Sequence, residues 1–131
     1  NGLERLTVTI PGWNRPLMAR LSRYAEGMNL TPCEKIHILR YRPVIEALLT
    51  LKGRYTPLAD GELALEADGQ TITVTVKNGA VCVTDGGENP WKLTHREIHE
   101  LLLSPFALDL QERAPRGWFP LPWHTPVADT F

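Results

Sequence analysis

Residues 61 to 84 read GELALEADGQTITVTVKNGAVCVT, and the pattern leaves this stretch few ways to fold. Leu63, Leu65 and Ala67 alternate with polar residues, Ile72, Val74 and Val76 do the same, and Val81 and Val83 follow. A period of two is what a strand with one buried face requires. Asp68-Gly69 and Asn78-Gly79 separate the runs, and Asx-Gly pairs accept the positive φ of the tight turns that join two strands. A three-stranded antiparallel meander is therefore expected. Leu, Ile and Val line its buried face, while Glu62, Glu66, Thr71, Thr73, Thr75 and Lys77 line the other.

Helical signals flank the meander. In RPVIEALLTLKG, Pro43 stands where a first helical residue would sit and Gly53 where a left-handed cap would stop the helix, with Val44, Ile45, Leu48, Leu49 and Leu51 as its apolar face. In LTHREIHELLLSP, Thr94 and Glu97 have capping-box spacing, Ile98, Leu101 and Leu102 face inward, and Pro105 ends the element. PWKL suits a short strand. Earlier, LERLTVTI and KIHILRY read as strands and PLMARLSRYAEGM as a helix, and the backbone after Pro105 reads as irregular. The fold class is α+β, an antiparallel or mixed sheet with helices packed on one face. Pro11-Gly12 marks the seam near the start. Residues 1-30 read as an N-terminal strand and helix packed on the sheet, and 31-131 as the main domain.

Composition excludes several function classes. With 43% apolar and 22% charged residues in 131, the chain is set to bury a real core. Fourteen Lys and Arg balance 15 Asp and Glu for a net charge of -1, so neither nucleic acid nor an anionic membrane is an expected partner. No run is apolar for the roughly 18 residues of a membrane span, and no signal peptide is legible. Cys33 and Cys82 are too few for a disulfide framework. Cys82, inside the apolar strand pattern, is expected as a buried, reduced thiol of a cytoplasmic protein. The chain opens Asn1-Gly2 without Met, as a trimmed chain or a piece of something longer would.

Catalytic signatures are sparse. HREIH puts His95 and His99 four apart on one helix, as a metal site does, but Glu97 is misplaced for a zinc-protease motif and spacing supplies no third ligand. A solvated helix face is the preferred reading, and no metal is expected. No phosphate-binding glycine loop occurs, DGGEN reads as a loop after a strand, and the Arg/Gln-x-x-Gly-x-Gly/Ala loop that holds the pyrophosphate of coenzyme A is missing. Ser22 and Ser104 lack a nucleophile elbow.

The end of the chain is unusual. GWFPLPWHTPVADTF holds two Trp, two Phe and three Pro in fifteen residues and places the terminal carboxylate on Phe131. Chain ends are ordinarily polar and frayed; this one is built to dock. Trp118, Phe119 and Trp123 are candidate lining residues for a hydrophobic ligand, although core packing is the commoner fate of any one of them.

The order of these pieces resembles the sterol carrier protein type 2-like domain: hairpins, a short strand, then a helix of the type L-T-x-x-E-L-x-x-L-L. IHILRYRPVIEALLTLKG before the meander and the aromatic, Pro-rich end closing in ADTF resemble the C-terminal part of GNAT-type N-acetyltransferases related to the enhanced intracellular survival protein. The resemblance implies that 1-30 is the tail of a preceding GNAT-like domain, 31-131 a sterol-carrier-like domain, and acetyl-CoA the cofactor of the parent protein, bound outside this chain. It also implies that the Phe131 carboxylate is the general base; the aromatic ring would then anchor the tip, and the charge of Asp129 would draw in a cationic amine. The plainer reading, Phe131 as an apolar plug or a chain boundary, stands beside it. The family's general-acid tyrosine has no matching motif at Tyr24, Tyr41 or Tyr55.

Three readings follow. The preferred one is a C-terminal module of an acetyltransferase, inactive alone, whose partners are the N-terminal GNAT domains and further copies in a homo-oligomer. The alternative is a free-standing carrier of a lipid, sterol or other hydrophobic small molecule. The third is a structural domain filled by its own tail.

Overall fold

The computed structural model describes residues 5–11, 13–28 and 36–123. Its regular elements are helices α1 (Arg15–Ser22) and α2 (Tyr41–Gly53), strands β1 (Gly61–Ala67), β2 (Gln70–Lys77), β3 (Ala80–Asp85) and β4 (Trp91–Lys92), and helices α3 (His95–Leu103) and α4 (Leu108–Gln111). The protein is mixed α+β, with a four-stranded sheet in the order β3-β2-β1-β4.

The meander forms as the sequence predicts. Leu65 pairs with Ile72 across the first hairpin and Val74 with Val83 across the second. The turn residues Asp68, Gly69, Asn78 and Gly79 have φ of 51, 73, 50 and 78°, the left-handed conformation both tight turns need. The chain then crosses over, and β4 lies parallel to β1 with Leu65 opposite Trp91.

One face of the sheet carries the core. Leu65, Ala67, Ile72, Val74, Val76 and Val83 are buried in a single cluster with Ile45 and Leu49 of α2 and Ile98, Leu101 and Leu102 of α3. The capping box opens α3: the Thr94 hydroxyl accepts from the Glu97 amide at 3.2 Å, and the Glu97 carboxylate accepts from the Thr94 amide at 2.8 Å.

The end of the described chain is stitched down. Trp118 is fully buried and Leu121 nearly so. The Leu121 amide donates to the Leu102 carbonyl at 2.7 Å, and the Ala59 amide to the Arg116 carbonyl at 2.9 Å. Gly117 turns this corner at φ 88°, where a Cβ would stand 2.5 Å from the Pro57 carbonyl oxygen, so no larger residue fits.

Several expectations need correction. KIHILRY forms no strand over 36–40, because its backbone groups are taken by side chains. The Ile38 amide donates to His99 Nε2 at 3.1 Å, the Tyr41 amide to Gln70 Oε1 at 3.1 Å, and Gln70 Nε2 to the Leu39 carbonyl at 3.0 Å. Over 5–10, the described part of LERLTVTI joins no sheet either, and Leu6 and Val8 lie exposed. The α2 helix starts at Tyr41, so Pro43 is its third residue, still within the turn whose amides have no helical acceptor. Gly53 ends α2 without a left-handed cap; Arg54 follows at φ -76°. Leu51 points outward, and Tyr41, Ile45, Leu49 and Lys52 form the buried stripe. Cys82 is exposed. The alternation that buries Val83 turns the neighbouring thiol to the opposite face. The stretch after Pro105 contains α4.

Candidate functional site

The hairpin turn after β1 presents a side chain as well as a bend. Asp68 takes the left-handed conformation of the turn and holds its carboxylate beside the start of α3. There His95 Nδ1–H donates to Asp68 Oδ2 at 2.6 Å. The same oxygen accepts from the hydroxyl of Tyr41, at the start of α2. The Tyr41 hydroxyl, then the His95 ring, hold the Asp68 carboxyl below its ordinary pKa. Burial and then the Asp68 carboxylate push the Tyr41 phenol well above its own.

His37 completes the group. It reaches His95 from the irregular segment before α2, its Nδ1 standing 3.4 Å from His95 Nε2 with the two rings stacked. His99, one turn further along α3, bonds through Nδ1–H to the His95 carbonyl at 2.8 Å and accepts the Ile38 amide at Nε2. One ring nitrogen from each of the three histidines lies within 4.8 Å of the other two. His37 and His95 are exposed and His99 half-buried.

The sequence singles out His95 and His99 but not the rest. Their third partner arrives from a residue 58 positions before His95, which spacing cannot reveal. Asp68 carries a signal of its own, since an Asx-Gly turn fixes where its side chain must project, yet the sequence does not say what stands there.

His37 also lines an apolar groove of about 400 Å³, formed with Ile36, Leu39, Val44, Leu48 and Trp123. Of the candidate lining residues, Trp123 stands 40% exposed on this groove. Trp118 and Phe119 lie in the core instead, 0% and 6% exposed, and the Trp118 indole N–H donates to the Ala59 carbonyl at 2.8 Å. Asp129 and Phe131 lie outside the described residues. A polar recess on another side holds Arg15, Glu112 and Arg116. Arg15 spans it, donating to the Pro105 carbonyl at 3.0 Å and to Gln111 Oε1, and burial lowers its pKa against the raising effect of Glu112.

The glycine pair after β3 offers no cradle for a pyrophosphate. The Gly86 amide donates to the Thr71 carbonyl at 2.8 Å, and a Cβ on Gly87 would stand 2.4 Å from Thr73 Oγ1. This loop is spent on its own sheet. Among the described residues no helix is long and apolar enough to cross a membrane. Comparisons of the chain with protein-family models, curated protein sequences and solved structures return no match.

Proposed function

We propose that this chain is a sterol-carrier-like C-terminal module of a GNAT-type N-acetyltransferase, one that contributes to the amine-acceptor site of the larger protein and is inactive by itself. The observation that carries the reading is the succession of elements. A helix, an antiparallel meander, a short strand and a capped helix follow in the order that the resemblance implies. The docked run from Trp118 to Leu121 agrees with it, since a chain end that delivers a base must leave from a fixed point. In this reading the Phe131 carboxylate takes the proton from the attacking amine. In the same reading acetyl-CoA is bound by the preceding domain.

The test is acetyl transfer to a panel of primary amines by the full-length parent protein. Transfer by the parent and none by the 131-residue chain is expected, and appending three residues after Phe131 should abolish turnover while the melting curve stays in place. Unimpaired turnover in the extended protein removes Phe131 from the mechanism. A parent without acetyl-CoA-dependent transfer removes the reading itself.

The carrier reading is favoured by one observation, the apolar groove beside Trp123. It predicts that the purified chain releases a stoichiometric hydrophobic molecule on denaturation. The space beneath the sheet is less hospitable, because Trp118, Phe119 and Leu121 occupy it.

A further inference from the structure

We infer that His37, His95 and His99 form a binding site for a divalent transition-metal ion, zinc being the ion that best suits it, with Asp68 and Tyr41 as the groups that orient the first of its ligands.

The geometry favours ligation at His95. By donating Nδ1–H to Asp68, this ring is held in the tautomer that leaves a lone pair on Nε2. That nitrogen looks at His37 Nδ1 across 3.4 Å. The separation exceeds the usual 2.7–3.2 Å of an N–H hydrogen bond to oxygen. It matches the spacing of about 3.4 Å between two ligand atoms of a tetrahedral ion with bonds of about 2.0–2.1 Å. Two of the three donors therefore already stand at ligand distance from each other.

His99 supplies the third. Its Nδ1 proton is committed to the His95 carbonyl, so Nε2 carries the lone pair, now shared with the Ile38 amide at 3.1 Å. An ion would displace that amide, and loading therefore moves the segment next to His37. Ligation costs one backbone hydrogen bond and ties the approach to α2 onto the first turns of α3.

The donor set selects the ion. Three neutral imidazoles, with no thiolate beside them among the described residues, suit zinc and its borderline neighbours rather than copper(I), and a trio of nitrogen donors does not suit calcium or magnesium. Asp68 plays the part of the carboxylate that commonly accepts the second N–H of a metal-bound histidine, and Tyr41 in turn fixes Asp68. The three ligands found among the described residues leave a fourth position on a tetrahedral ion for a further donor.

The experiment is calorimetric titration of the chelator-stripped 131-residue chain with zinc chloride, with cobalt(II) chloride as the spectroscopic probe. One ion per chain is expected, with a visible cobalt band of tetrahedral intensity. His37→Ala and His95→Ala should each weaken binding at least tenfold, and Asp68→Asn, which keeps all three ligands, about 10- to 100-fold. Circular dichroism of the metal-free variants confirms that they fold, and His37→Ala, which alters an exposed side chain outside any helix or strand, keeps the test open if the others do not. Absence of binding at millimolar zinc, or binding that survives His37→Ala/His95→Ala intact, overturns the site. Either result is independent of whether the parent protein transfers acetyl groups.

Discussion

Lys52, in the last turn of α2, is 4% exposed and donates from Nζ to the Pro120 carbonyl at 2.7 Å, joining the helix to the end of the described chain. Burial, and then the positive charge of Arg15, lower its pKa from 10.5 to about 8. The unfolded chain therefore holds a proton between these two values that the folded chain does not. The Lys52 contribution to stability is lowest below pH 8 and rises as the pH climbs toward 10.5, the full cost of the buried charge being on the order of 3 kcal/mol. Tyr41 acts in the opposite sense above pH 10, since its raised phenol pKa makes the unfolded state the first to ionise. The informative window thus runs from about 8 to 10. Urea midpoints across it should rise for the parent chain and rise less for Lys52→Met, which should also be the more stable protein at pH 7. Parallel curves for the two proteins would mean that Lys52 is not the group responsible.

The docked end of the chain makes a second prediction. Trp118 fills the core and satisfies the Ala59 carbonyl. Trp118→Ala should cost about 3–5 kcal/mol through lost burial and the cavity left behind. Trp118→Phe keeps much of the packing and leaves that carbonyl without its donor, for about 1–3 kcal/mol. Deleting residues 117 to 131 removes Trp118, Phe119 and Leu121 together and strips Lys52 of its acceptor, so the cooperative transition should be lost at 37 °C. A melting curve unchanged by the deletion would contradict the docking.

Local rules account for what was legible beforehand. The meander was visible because period-two alternation and two Asx-Gly turns act within a few residues, and α3 because Thr94 and Glu97 cap it from three positions apart. KIHILRY misled because its alternation of Ile and His mimics a strand, while the partners of its backbone are Gln70 and His99 side chains far along the chain. Lys52 reads as a cationic helix end, and its burial depends on a carbonyl 68 residues away. The histidine cluster was legible only by half. His95 and His99 share a helix face by spacing, whereas His37 and Asp68 meet them through the path of the chain.

The cap of α3 offers a test close to the histidines. Thr94→Ala removes the acceptor of the Glu97 amide and should cost about 1 kcal/mol, with Thr94→Ser largely restoring it. Because the same turn carries His95, fraying at this end should weaken the hold of Asp68 on the ring as well. The readout is the denaturant midpoint, together with the hydrogen exchange of the Glu97 and Ile98 amides. Unchanged exchange in Thr94→Ala would show that packing of Ile98 and Leu101, rather than the cap, holds the turn.

Cys82 tests the side of the sheet that the core does not use. It lies on the edge strand β3 opposite Thr75, exposed, while its neighbour Val83 is buried. A thiol so placed should be alkylated in the native protein without denaturant, and peptide mapping should locate the adduct at Cys82. Because the modified face is not the packed one, the adduct should shift the melting temperature by no more than an ordinary surface substitution, equivalent to about 0.5 kcal/mol. Cys82→Ser should be equally mild, whereas Val83→Ser, one residue along and facing the core, should cost several times as much. Protection of Cys82 until the protein unfolds would reverse the assignment of faces along β3 and, with it, the register against β2.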